Sequence, residues 1–232
     1  MAAVVLIAIV GFGIVGVLGY FSWLAAKKRR EALAALAASR GWTYTERDDR
    51  YVDEFDGSPF GTGHDRRATN VLSGTYDGRV FLAFDYRYST TEHYTDSDGH
   101  SRTRTETHPY SVIALQIGAQ APNLSVSPEG FFGRMVGRLT NNDIEMESEQ
   151  FNRAFTVHCE DRKFATDVLH PLMMEYLLTL PDLAWSFRGS SLVTVEAGQH
   201  SLETLDATLA AIDGILDRVP GFVRTSLGLP ET

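Results

Sequence analysis

The stretch TNVLSGTYDGRVFLAFDYRY, residues 69–88, decides how this chain folds. Asp77-Gly78 stands between two runs rich in β-branched and aromatic residues. A two-residue hairpin turn needs positive φ at both central positions, which Asp and Gly tolerate. After the turn, Val80, Leu82, Phe84, Tyr86 and Tyr88 alternate with Phe81, Ala83, Asp85 and Arg87, so one face of the strand is heavily apolar. Such a strand belongs to a sheet with a packed side, and Tyr110 to Ile117 is a second clean strand to pair with it.

Working outward, Trp42 to Thr45 reads as a first strand and Leu124 to Ser127 as a short one. Pro128 to Leu139 is expected as a helix. Asp143 to Glu147 and Phe155 to Cys159 alternate as strands, with Ser148 capping a helical turn between them. Asp161 caps a helix whose stripe is Phe164, Val168, Leu172, Tyr176 and Leu180, kinked or restarted at Pro171. Ala184 to Arg188 and Leu192 to Glu196 form a second hairpin around Gly189-Ser190. Ser201 to Val219 is the last helix, stopped by Pro220-Gly221. Strands followed by helices predict an α+β fold with a mainly antiparallel sheet packed by C-terminal helices, in one domain over residues 41–232.

Before that domain, Ala2 to Ala26 carries no ionisable side chain and is followed at once by Lys27-Lys28-Arg29-Arg30. At about 1.5 Å per residue the run makes roughly 37 Å of helix, more than the ~30 Å hydrocarbon core of a bilayer. Tyr20 and Trp23 near its end suit the headgroup level. A transmembrane helix is therefore expected over residues 1–26. A cleaved signal peptide carries its basic residues before a shorter apolar run, the reverse of this order. Basic residues stay on the cytoplasmic side. The expected topology is a single pass through a bacterial cytoplasmic membrane, with the N-terminus outside and the domain cytoplasmic. Gly11 to Gly16 formally matches a dinucleotide-binding fingerprint, but without the strand that must precede it. Residues 27–40 are rich in helix formers and end at Gly41, so a basic helical stalk is expected there.

Charge narrows the function further. Five of the 21 basic residues but only one of the 30 acidic ones precede Gly41, which leaves the rest of the chain near −13. That balance argues against nucleic acid and against broad adhesion to anionic lipid. The single Cys159 excludes an internal disulfide and suits a reducing compartment. Residues 46–65 hold a dense set of carboxylates and read as a solvated loop.

Few residues point to chemistry. Ser89 to His108 has no aliphatic side chain and one aromatic, Tyr94, and reads as a polar protruding loop, the tip of a hairpin with a second turn at Asp98-Gly99. Within it His93, His100 and His108, with Asp96 and Asp98, offer metal-ligand chemistry, but their spacing fits no compact ligand motif. A solvated loop is the better reading, and no cofactor is expected. On a strand, His158 and Cys159 point to opposite faces, so His158 cannot serve as base for the thiol. No nucleophile elbow, HExxH or P-loop is present, and no catalytic residue is assigned. Phe131, Phe132, Arg134 and Arg138 share a segment that reads as a core helix or an interfacial membrane contact. Leu202, Leu205, Leu209, Ile212 and Leu216 follow heptad-like spacing, too short for a sustained coiled coil; packing on the sheet is expected over self-association.

GWTY (residues 41–44), NVLSGTYDGR (70–79), FDYRY (84–88) and FNRAFTVHCEDRKFA (151–165) resemble, in that order, an uncharacterised family of actinobacterial single-pass membrane-anchored proteins. The resemblance implies no activity, substrate or site residue. The expectation is a membrane-anchored cytoplasmic interaction module without catalysis, its partners the lipid bilayer and a protein. A binder of a small apolar or lipid-like ligand is the alternative, and an enzyme with dispersed acid/base residues the third.

Overall fold

The computed structural model describes residues 2–97, 99–129 and 144–229, and of residues 2–16 and 18 the backbone alone. The strands β1 (Thr43–Arg47), β2 (His64–Tyr76), β3 (Arg79–Thr95), β4 (Ser101–Gln116), β5 (Leu124–Pro128), β6 (Phe155–Cys159), β7 (Trp185–Arg188) and β8 (Ser191–Ala197) form one sheet. Its order is β1-β2-β3-β4-β8-β7-β5-β6, with each neighbouring pair antiparallel. The described helices are α1 (Ala2–Arg40), α2 (Glu149–Ala154), α3 (Arg162–Val168), α4 (Pro171–Leu178), α5 (Leu202–Asp217) and α6 (Gly221–Ser226). The α+β class and the antiparallel sheet are as expected.

The β2–β3 turn has the predicted chemistry, with Asp77 at φ 44° and Gly78 at φ 79° and with Tyr76 opposite Arg79. Both faces of the sheet are covered, by different means. One face carries Phe81, Ala83, Ile113, Leu115, Leu124, Phe187 and Leu192, packed under Leu33 and Ala37 of α1 and under α3, α4 and α5. The other carries Phe84, Tyr86, Tyr88, Val112 and Val193, covered by Phe55 and Phe60 from the loop between β1 and β2. That loop, expected to be solvated, thus contributes two buried rings. Its carboxylates serve local ion pairs: Arg50–Asp48, Arg47–Asp49 and Arg66–Asp53.

Other expectations need correction. Residues 89–108, expected as a protruding polar hairpin tip, are not loop-like but paired strand up to the turn. The β3–β4 ladder continues without a break from Phe81↔Leu115 to Thr95↔Ser101, making a two-stranded arm. Threonine replaces aliphatic side chains here, with cross-strand hydroxyl contacts such as Thr91–Thr105 and Ser89–Thr107. β-branched residues favour the strand even where nothing is buried. Residues 144–146 lie outside regular structure, although Ile144 donates its N–H to Val157 O.

The stripe through Pro171 divides into α3 and α4 and restarts with the proline in the first turn; Leu172 is exposed. Leu205, Leu209, Ile212 and Leu216 are buried against the sheet, so the self-association seam is not available and only Leu202 reaches the surface. Gly214 on α5 stays open to the Tyr176 side chain, whose hydroxyl would meet an added Cβ; Tyr176 donates to Ala211 O at 3.1 Å.

α1 is one continuous helix of 39 residues, roughly 58 Å long at about 1.5 Å per residue. The stretch expected to be a stalk is helical but not free-standing, because Leu33 and Ala37 belong to the core. Among the described residues no helix is long and apolar enough to cross a membrane. The apolar run falls chiefly on residues whose side chains lie outside that set. Phe131, Phe132, Arg134 and Arg138 also lie outside the described residues, as does the helix expected over 128–139 beyond Glu129.

Candidate functional site

Beyond Ala83 the helix-covered face of β3 turns from apolar to charged, at Asp85 and Arg87. α1 crosses the sheet there, and a polar network fastens the two elements. The Arg29 guanidinium binds Asp85 in bidentate fashion, Nη1 to Oδ2 at 2.5 Å and Nη2 to Oδ1 at 2.9 Å. Arg29 also donates from Nε and Nη2 to His200 O, at 3.1 and 2.9 Å. Asn70 sits at φ 52° within a bulge of β2. The bulge turns its amide so that Nδ2 donates to Asp85 Oδ2 at 2.7 Å while Tyr44 Oη donates to Asn70 Oδ1 at 2.8 Å. Both lone-pair sides of Asp85 are therefore occupied, which a carboxylate with 8% of its side chain exposed requires.

Three of the quoted stretches meet in this network: GWTY through Tyr44, NVLSGTYDGR through Asn70, FDYRY through Asp85. Trp42 and Gly74 meet beside it. The indole packs on Phe81 at 4.5 Å between centroids and its Nε1 donates to Thr75 O, and a Cβ on Gly74 would lie 2.6 Å from the indole. His200 completes the floor. Burial holds its imidazole well below the usual value, at about 4, with Asp85 opposing and Arg29 assisting. Its Nε2 is buried with no hydrogen-bond partner. Burial alone raises the Glu196 carboxyl.

Above this floor opens a cleft of about 630 Å³ between Ala26 of α1, the end of β1 and the middle of β2 and β3. Arg29, Arg30, Arg47 and Arg87 line it, with Glu46 as the carboxylate on its wall. Arg30 pairs with Glu46 at 3.4 Å, and Glu46 is 71% exposed. Arg87 is exposed, and no carboxylate among the described residues pairs with it. Directly above on α1, Tyr20, Phe21 and Trp23 are exposed and Lys27 lies 5.6 Å over the Trp23 ring. Lys27 also pairs with Glu31, and Lys28 is exposed.

The histidines of the arm do not converge. His93 contacts Thr103 Oγ1, His108 stacks on Tyr88 at 4.8 Å and contacts Thr90 Oγ1, and His100 lies 3.6 Å from Asp96 near the tip. Asp98 lies outside the described residues. The carboxylates that do gather are Asp77, Asp213 and Asp217, and Arg79 already pairs with the last two. Cys159 is buried, its thiol pushed up chiefly by burial and its Sγ donating to Asp161 O, as a structural residue would be.

Residues 123–215, from β5 into α5, match the family model described as "Protein of unknown function (DUF3137)". No curated protein matches the chain in sequence. The fold is similar to the crystal structure of the mycobacterial trehalose monomycolate transport factor A, TtfA. The TM-score is 0.59 and the identity 15%, over 88% of this chain and 96% of that one. At that identity the likeness is one of fold.

Sequence reading named Arg29 and Arg30 for topology and missed their tertiary partners. The available signal was Asp85 and Arg87 on a strand face that begins with Phe81 and Ala83. A face that changes character in mid-strand announces a polar partner.

Proposed function

We propose that the protein is a membrane-anchored, non-catalytic interaction module. In this reading residues 1–26 span the bacterial cytoplasmic membrane with the N-terminus outside, and residues 41–232 form the cytoplasmic domain. The observation that carries the reading is the unbroken helix α1, whose apolar N-terminal run continues into the core through Leu33 and Ala37 and is fastened by Arg29–Asp85. A helix built into the core transmits the anchor's position to the domain, as a flexible linker could not. The basic block sets orientation while the chain inserts, and two of its arginines then serve the folded contact.

The β3–β4 arm supports the interaction role. Arg87 shares the cleft with Ala26, and the ladder runs on from there to Thr95, about 26 Å further at 3.3 Å per residue. Its polar side chains keep it out of the hydrocarbon, so it is the element offered to a partner at the membrane surface. The mycobacterial neighbour is named as a transport factor, which favours an accessory role in transport. A lipid-like ligand between sheet and helices is less favoured, because Phe81, Ile113, Leu115, Met173, Leu177 and Leu192 fill that space. Catalysis is less favoured because Asp213, paired with Arg79, lies apart from His200 and Glu196, and those two are not among the residues that line the cleft.

The test is alkaline extraction of membranes holding the full chain, followed by photocrosslinking from positions 91 and 103 on the arm. Retention in the membrane and a discrete crosslinked partner support the reading. Release at high pH refutes the anchor. Absence of any crosslink, with turnover by the purified chain, refutes the interaction role.

A further inference from the structure

The cleft at the root of α1 lies at a depth that the helix itself defines. From Trp23 to Ala26, at the mouth of the cleft, is roughly 4.5 Å along the axis at about 1.5 Å per residue, and Arg30 lies roughly 6 Å deeper. The headgroup layer on each side of a bilayer is about 5–8 Å thick. With Tyr20, Phe21 and Trp23 at the boundary, the mouth of the cleft opens among headgroups. Resting on the anchored reading above, we propose that this cleft binds the phosphate of an anionic lipid headgroup.

Arg87, exposed and without a carboxylate, is the primary contact. Arg30 turns to the phosphate from Glu46, an exposed partner at 3.4 Å that holds it weakly. Arg47, half-exposed and shared with Asp49, closes the far wall. Guanidinium groups match phosphate oxygens by paired N–H donors, and three from α1, β1 and β3 converge where one headgroup fits. Arg29 remains committed to Asp85 and anchors the floor without contacting the ligand. The positive cleft is local within an acidic domain. Repulsion elsewhere therefore opposes broad adsorption and leaves a single docking point, which sets the domain's rotation about α1.

The experiment titrates the detergent-purified full chain with dihexanoyl phosphatidylglycerol, dihexanoyl phosphatidylcholine and inorganic phosphate, followed by calorimetry. The phosphatidylglycerol analogue is expected to saturate one site at least about tenfold more tightly than the other two. Arg87→Gln should weaken it about fivefold, at roughly the strength of one basic residue near an anionic surface. Glu46→Gln should strengthen it by freeing Arg30. Near-UV circular dichroism confirms the fold of each variant, and the opposite sign of the two variants excludes unfolding as the cause.

Equal binding of the phosphatidylcholine analogue, or indifference to both substitutions, overturns the proposal. Phosphate binding as tightly as the lipid overturns the lipid assignment in favour of a free anion. Because the short-chain probes need no bilayer, their failure is distinct from failure of the alkaline extraction that tests the anchor.

Discussion

The β3–β4 hairpin is one continuous ladder with two different lives. In its lower half, Phe81 to Tyr88 opposite His108 to Leu115, both faces are covered except at Arg87, and Phe81, Phe84 and Tyr86 are almost wholly buried. In its upper half, Ser89 to Thr95 opposite Ser101 to Thr107, the same hydrogen-bond pattern runs on with exposed side chains beyond Thr90. The comparison separates two causes usually met together. Pairing and β-branched side chains are enough to shape a strand, whereas burial decides how much that strand contributes to stability. The protein spends the lower half on holding α1 and leaves the upper half free for contact.

The largest break in the comparison should come from Phe84→Ala, which removes a ring between β3 and the β1–β2 loop. It is expected to cost about 3–5 kcal/mol in denaturant unfolding of the full chain in detergent. Asp85→Asn should follow, at about 3 kcal/mol, because Arg29 would keep its burial and lose its charge partner. The double variant Arg29→Leu, Asp85→Leu should recover most of that loss, since an apolar pair of similar bulk removes the desolvation cost as well. A double variant as unstable as the single one would show that the network acts through something other than charge pairing.

His200 sharpens the same point through pH. Its folded-state value is about 4 against an ordinary 6.5, so between those limits the unfolded chain binds the proton and the folded chain does not. Stability from this group is complete above about pH 6.5 and falls as pH drops toward 4, by about 2–3 kcal/mol. His200→Gln should remove that fall from the variant's curve, so that the difference between wild-type and variant stability changes by about 2–3 kcal/mol across the window; parallel curves would contradict the assignment. The smallest effect belongs to the arm. Thr91→Ala should change stability by less than about 0.5 kcal/mol, because both partners of its hydroxyl contacts face water. Amide exchange along Thr90–Thr95 should run far ahead of exchange along Phe81–Tyr86.

What could be read in the sequence divides along the same line. Asp77-Gly78 announced its turn, and the burial of Leu205, Leu209 and Ile212 follows from their spacing. The turn of the arm is legible in Asp98-Gly99 but the length of its strands is not, because a threonine ladder offers no apolar alternation. The contact of α1 with the sheet was hidden differently. Leu33 and Ala37 stand four apart in a run of helix formers that equally suits a stalk, and Arg29 lies 56 residues from Asp85. No local spacing encodes a pair of that kind. Arg30 and Arg47 pointed to nothing together until β1 and α1 brought them to one cleft. The quoted stretches imply no site by themselves because their polar members act only after Tyr44, Asn70 and Asp85 have met.

The account's central claim is that one rigid helix joins the bilayer to the domain core. Single cysteines test it most directly, since Cys159 is buried and does not compete. Val15→Cys, Lys28→Cys and Leu33→Cys are each exposed to a water-soluble maleimide in membranes holding the full chain. The account predicts protection at 15 by lipid, labelling at 28 and protection at 33 by the core, with 15 becoming reactive only after detergent. Labelling at 15 in intact membranes, or equal labelling at 28 and 33, would contradict it.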